Sequence, residues 1–323
     1  MKDIRNLLLA ATLAASSHVA MAQAKWDFPT GYSANSFHTE NLAQFAADVE
    51  KAVDGKLKLQ VHPGGSLYKA NEIKRAIQTG QVQIGEFILS GASNENPIFG
   101  VDSIPFVATS YAEAKKLATV SRPTIEKILA AQGMKLLYTV PWPGQSLYSN
   151  KPVTSAADLR GTKMRSYNPA TSRIAQLLGA QPATIQLSEL GQALATGAVD
   201  NFLTSSASGI ESKLYEHVKN FYAVNAWLPK NAVVVSQKAF DSVDKPTQDA
   251  ILKAAATAED RGWKRSEKLD QEYLKGLADN GMTVSTPSQK LRDELLAIGD
   301  TMTAEWLRTS GDEGKRIIDA YKK

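Results

Sequence analysis

The sequence predicts an α/β protein of two similar lobes joined by strands that cross between them. Three observations carry this. The first stretch of chain alternates strand and helix signals. A helix–glycine–strand junction then recurs, because "AIQTGQV" at 76–82 and "ALATGAV" at 193–199 share Ala, Thr, Gly and Val. Two apolar stretches bearing prolines, 136–150 and 227–240, interrupt these units and are where the chain passes between lobes.

Residues 25–28 read as a strand. Over 37–54, Leu42, Phe45, Ala46, Val49 and Val53 fall at helical spacing, and Gly55 is the stop. Leu57, Leu59 and Val61 alternate as in a half-buried strand. "HPGGSL" (62–67) is Gly-rich but lacks the lysine and Ser/Thr of a phosphate loop, so it reads as a strand-to-helix turn. Residues 71–79 are helical and end at Gly80, and 82–87 is a buried-strand candidate. Such β-α-β-α-β alternation is the mark of a parallel sheet covered by helices. From Pro246 to Asn280 the only breakers are Gly262 and Gly276, while Ile251, Ala255, Ala258, Leu269, Tyr273 and Leu277 share roughly one face. This is either one helix of about 45 Å lying along both lobes or two helices broken at Gly262.

The 323 residues allow one large or two medium domains. A net charge of +4, with no run of four basic residues, argues against nucleic acid as a partner. Lys2 and Arg5, the apolar run 7–15 and the small-x-small site at Ala20-Met21-Ala22 read as a secretory signal peptide cut after Ala22. The apolar run is too short to span a bilayer. Cleavage removes two cations and one anion, leaving +3. With no cysteine, an exported chain rests on its core rather than on disulfides.

Catalytic constellations are missing. There is no H-E-x-x-H, no cysteine ligand set, no G-x-S-x-G elbow, no G-x-G-x-x-G and no calcium loop, so neither a metal nor a cofactor is expected. The arginine of "GTKMRSYNP" (161–169) stands out instead. Arg165 ends a strand-like run, Asn168 is a good N-cap before Pro169, and a helix begins near Ala170. Strand ends facing helix N-termini are where open α/β sheets bind ligands. A guanidinium beside a helix N-terminus suits a carboxylate. An interdomain salt bridge or an exposed arginine is the alternative.

Residues 158–201, "DLRGTKMRSYNPATSRIAQLLGAQPATIQLSELGQALATGAVDN", resemble the DctP-type solute-binding proteins of tripartite ATP-independent periplasmic (TRAP) transporters. The matching blocks are D-L-x-G-x-K-M-R, L-G-A-x-P and E-x-x-x-A-L-x-x-G-x-V-D. "HPGGSL", "DSIPFV" and the long late helix extend the likeness along the chain. The resemblance implies a two-lobed periplasmic binding protein (type II-like), with hinge strands and a long helix spanning both lobes. It implies an organic acid as ligand, TRAP permease subunits as partners and a monomer. Lobe I is expected to comprise 23–142 plus 231–270, and lobe II 143–230 plus 271–323.

The resemblance also makes Arg165 the partner of the ligand carboxylate. Sialate-binding relatives carry a second arginine where this chain has Gln145, and an asparagine where it has Ser205. One charged clamp therefore remains, which favours a small hydroxy- or oxo-monocarboxylate. Glu86, in an apolar strand, and Asn231, in "LPKN", are further candidate ligand contacts, as is Asn168. Phe87, Trp142, Tyr148, Tyr167, Phe202 and Trp227 are candidates for a partly aromatic pocket, with core or hinge packing as the alternative for each. Two rival functions stand beside the main one: an aromatic-acid receptor, and an exported lyase or isomerase using Glu86 as base. A receptor feeding a sensor rather than a permease is a further variant.

Overall fold

Strand β1 (Ala24–Pro29) pairs in parallel with β2 (Leu57–His62), from Ala24 opposite Leu57 to Pro29 opposite His62. Helix α1 (Phe37–Ala52) connects them and buries Leu42, Phe45, Ala46 and Val49, the residues at helical spacing. The structure is a computed structural model and describes residues 23–323. The signal segment and its cleavage point lie outside the described residues. After β2, Gly64 and Gly65 both take positive φ, and their N–H groups donate to the carbonyls of Tyr32 and Thr30. "HPGGSL" is thus a turn that pins the loop following β1.

Helix α2 (Ile73–Gln78) leads through Gly80 into β3 (Ile84–Ile88). Helix α3 (Tyr111–Ala131) follows, then β4 (Met134–Pro141). In the second lobe come β5 (Ser146–Ser149), β6 (Lys163–Ser166), α4 (Pro169–Leu177), β7 (Gln181–Thr184), α5 (Leu187–Ala195), β8 (Asn201–Thr204), α6 (Ser206–Glu211) and β9 (Asn220–Tyr222). The recurring junction has one cause at both places. Gly80 (φ 73°) and Gly197 (φ 69°) close α2 and α5 in the left-handed conformation that a side chain disfavours.

The chain returns to lobe I as β10 (Lys230–Ser236), which lies antiparallel between β3 and β4. The expected parallel sheet is corrected here: β1 and β2 form a parallel pair, whereas β3, β10 and β4 form a separate antiparallel sheet. A strand arriving from the other lobe runs against its neighbours. Lobe II is mixed for the same reason: β6 is parallel to β7 and β8, while the incoming β5 is antiparallel to β8 and β9. The two crossings lie side by side. Trp142 N–H donates to Pro229 O at 2.8 Å, Gln145 N–H to Trp227 O at 2.8 Å, and Ala226 N–H to Gln145 O at 2.9 Å.

Short α7 (Gln237–Ser242) precedes α8 (Lys245–Asp279), a single helix of 35 residues that passes through Gly262 unbroken. Its early residues Ile251, Ala254, Ala255 and Ala258 join the core around α1 and β4, and Leu277 joins that of lobe II. Strand β11 (Thr283–Ser285) then completes the six-stranded order β11-β9-β5-β8-β6-β7.

Helix α9 (Gln289–Lys322) follows and closes the chain. It is kinked at Gly311, and Leu291, Leu295 and Met302 pack in lobe II, whereas Trp306, Ile317 and Ile318 pack in lobe I. The terminal segment 271–323 therefore serves both cores. No helix among the described residues is long and apolar enough to cross a membrane.

Candidate functional site: a cleft with one unpaired guanidinium

Between the lobes lies a cavity of about 130 Å³. Lobe I contributes Tyr32, Lys74, Phe87, Glu95 and Trp142 to its wall, and lobe II contributes Gln145, Arg165, Tyr167, Gln186, Leu187, Thr204 and Ser208. Arg165 is placed by alternation along β6. Met164 points into the core of lobe II, so its neighbour takes the other face. Arg165 is 3% exposed. Its Nε–H donates to Ile185 O at 2.9 Å, and its Cζ sits 4.9 Å from the centre of the Tyr167 ring. Among the described residues no carboxylate pairs with it, and its two terminal NH₂ groups have no protein acceptor. Burial pulls the guanidinium down from the usual arginine range to about 10, the response of a cation stripped of water without an anion in exchange.

A second cation on the wall is already compensated, since Lys74 Nζ lies 2.5 Å from Glu95 Oε2. Around Arg165, the Tyr167 hydroxyl donates to Gln145 Oε1 at 3.1 Å, and Gln145 Nε2 donates to Pro143 O at 3.1 Å. On the lobe I side, Asn231 joins three residues. Its Oδ1 accepts from Trp142 Nε1 at 3.0 Å and from the Tyr32 hydroxyl at 3.1 Å, and its Nδ2 donates to Glu86 Oε1 at 3.1 Å. Thr30 Oγ1 donates to the other oxygen of Glu86 at 2.6 Å. His38 Nδ1 lies 3.3 Å from Glu86 Oε1, yet neither ring nitrogen makes a well-aligned hydrogen bond.

Residues 28–309 match the family described as bacterial extracellular solute-binding protein, family 7 (DctP). The chain belongs to this family. DctP6 of Bordetella pertussis, an extracytoplasmic solute receptor binding pyroglutamic acid, shares 48% identity over 92% of this chain and 99% of its own, with a TM-score of 0.91. A TRAP solute-binding protein from a marine metagenome, specific for pyroglutamate, shares 42% identity over 93% of this chain and 99% of its own, also with a TM-score of 0.91. A solute-binding protein of Albidiferax ferrireducens is 27% identical over 86% of this chain and 81% of its own. Members of the family are substrate-binding proteins of transport systems outside the cytoplasm.

In this DctP-family chain, four of the eight site residues expected from sequence meet on the cavity wall: Arg165, Gln145, Tyr167 and Trp142. The other four stand behind it. Asn168 caps α4, accepting from Thr171 N–H at 2.8 Å, and its Nδ2 donates across the lobes to Ser90 Oγ at 2.8 Å. Ser205 caps α6 through Ser208 N–H at 3.1 Å, while its neighbours Thr204 and Ser208 reach the cavity. Glu86 and Asn231 orient Tyr32 and Trp142 rather than line the cavity. A carboxylate so enclosed is badly placed as a base, which disfavours the lyase reading. Among the aromatic candidates, Phe87 joins Trp142 and Tyr167 at the cavity, while Tyr148, Phe202 and Trp227 are core of lobe II. Tyr148 and Phe202 stack at 4.9 Å. Sequence reasoning missed Tyr32, Lys74, Glu95, Gln186, Leu187, Thr204 and Ser208. Gln186 and Leu187 at the start of α5 carried a detectable signal, because a helix N-terminus following a parallel strand faces the same corner as Arg165.

Proposed function

We propose that this protein is a periplasmic receptor that captures a small oxo-monocarboxylate of the pyroglutamate type and presents it to a TRAP permease, acting as a monomer after cleavage behind Ala22. The observation that carries this is Arg165, a buried guanidinium facing the interlobe cavity with its bidentate fork unfilled. Neutralisation of Lys74 by Glu95 leaves one net positive charge for the ligand, which suits a monoanion better than a dianion. Two relatives at 48% and 42% identity bind pyroglutamate, a cyclic acid with one carboxylate and one amide carbonyl. Closure of the lobes by a hinge motion at the paired crossings would bury the acid. An affinity near 1 μM corresponds to roughly −8 kcal/mol, within reach of a desolvated Arg–carboxylate pair with a few hydrogen bonds.

A thermal-shift panel tests this. Ligand at about a hundred times its Kd adds roughly 2.7 kcal/mol of stability, which raises Tm by several degrees in a chain of this size. Pyroglutamate is expected to produce that shift, and succinate and benzoate to leave Tm unchanged. A shift with succinate or benzoate but none with pyroglutamate overturns the assignment.

A further inference from the structure

The polar network behind the cavity fixes where one hydroxyl proton points. Glu86 is an acceptor when ionised, so the atom of Asn231 facing it at 3.1 Å is the amide nitrogen. The Trp142 indole can only donate, so the atom facing it at 3.0 Å is the amide oxygen. Both constraints choose the same amide orientation, which is therefore not a free assignment. The Tyr32 hydroxyl lies 3.1 Å from that same oxygen and must donate to it. Burial and the nearby Glu86 both raise the Tyr32 phenol, so it keeps the proton that it donates. No other described residue donates to the Tyr32 oxygen. Its lone pairs are left for the cavity, which it lines together with Arg165.

We infer that Tyr32 is a specificity residue that accepts a hydrogen bond from an N–H on the carbon bearing the ligand's carboxylate. The inference rests on the proposed function, since Arg165 must hold that carboxylate. The geometry makes Tyr32 read for an N–H donor and against an ether or ester oxygen at the same place. An oxygen there would set lone pair against lone pair, with both groups desolvated. Glu86 and Asn231 act through Tyr32 as positioning residues. Trp142 and His38 hold the ring itself, with centroids 5.0 and 5.8 Å from that of Tyr32.

The test uses two acids of nearly identical shape, pyroglutamate and its lactone analogue γ-butyrolactone-γ-carboxylate, in which a ring oxygen replaces the N–H. Calorimetric titration of the mature protein is expected to show the lactam bound about 10- to 100-fold more tightly than the lactone. Tyr32→Phe keeps the ring and removes the acceptor. It is expected to bring the two affinities within about threefold of each other, mainly by weakening the lactam. Binding of the lactone by the variant is the internal measure that the cleft is intact. Equal affinities in the wild type, or an unchanged ratio in Tyr32→Phe, overturn the inference while the carboxylate site stands. Failure of the wild type to bind either acid overturns the proposed function and this inference with it.

Discussion

Arg165 is held in a conformation that costs stability until an anion arrives. Burial pulls its guanidinium down to about 10 in the folded protein, below its range when solvated, so the unfolded chain binds that proton more tightly. At any pH below about 10 folding bears the whole cost, of order 3 kcal/mol, and the cost fades as pH rises beyond about 10. A bound carboxylate offsets it and raises the pKa again. Affinity for pyroglutamate is therefore expected to stay level between about pH 6 and 9 and to fall as pH rises past about 10. Titrations across that range check this, and a steady decline already between pH 7 and 9 would assign the dependence to another group. The Tyr32 and Tyr167 phenols do not interfere, since burial raises both and keeps them neutral. The position of Arg165 on the cavity wall was legible because its neighbours in sequence, Asn168 and Pro169, announce a helix start beside a strand end. Tyr32 was not legible. It follows β1 far from that motif, and only the closed chain brings it to the same cavity.

At the scale of elements, helix α8 shows what periodicity reveals and what it hides. Its extent followed from apolar spacing, while its continuity through Gly262 depended on what crosses there. A Cβ on Gly262 would lie 2.4 Å from Val140 Cγ2 and 2.9 Å from Asn41 Nδ2. The glycine is the point where the helix crosses β4 and α1 at close range, and two neighbouring contacts fix it. Trp263 Nε1 donates to Thr139 O at 3.0 Å, and Asn41 Nδ2 donates to Ala258 O at 3.0 Å. In an open helix Gly→Ala would stabilise by about 1 kcal/mol. Here overpacking of about 1–3 kcal/mol opposes it. Gly262→Ala is expected to be less stable than the wild type by roughly 1–2 kcal/mol, read as a lower midpoint in urea. A more stable variant would mean that β4 yields easily. Strand direction was hidden for a related reason: local alternation marks β10 as a buried strand but says nothing of the lobe from which it arrives.

Over the whole molecule, the cleft joins one unpaired charge, Arg165, to a compensated Lys74–Glu95 pair and to side chains that carry only dipoles. Lobe II brings Arg165, Thr204 and Ser208, and lobe I brings Tyr32 and Trp142 on a platform set by Glu86 and Asn231. Asn168, reaching Ser90 across the cleft, ties the helix beside the arginine to the opposite lobe. The two-lobed plan was legible because the helix–glycine–strand unit repeats. Half of the expected site was not placed on the wall, because good cap residues such as Asn168 and Ser205 look in sequence like good ligand contacts. Calorimetric titration of pyroglutamate into the wild type and into Arg165→Gln tests the central claim most directly. The wild type is expected to bind at micromolar affinity or better. The variant should lose at least about 100-fold, as removal of a buried charge-assisted pair costs roughly 3 kcal/mol or more, with its unliganded Tm no lower because an unpaired buried cation has gone. An unchanged affinity in Arg165→Gln would contradict the account.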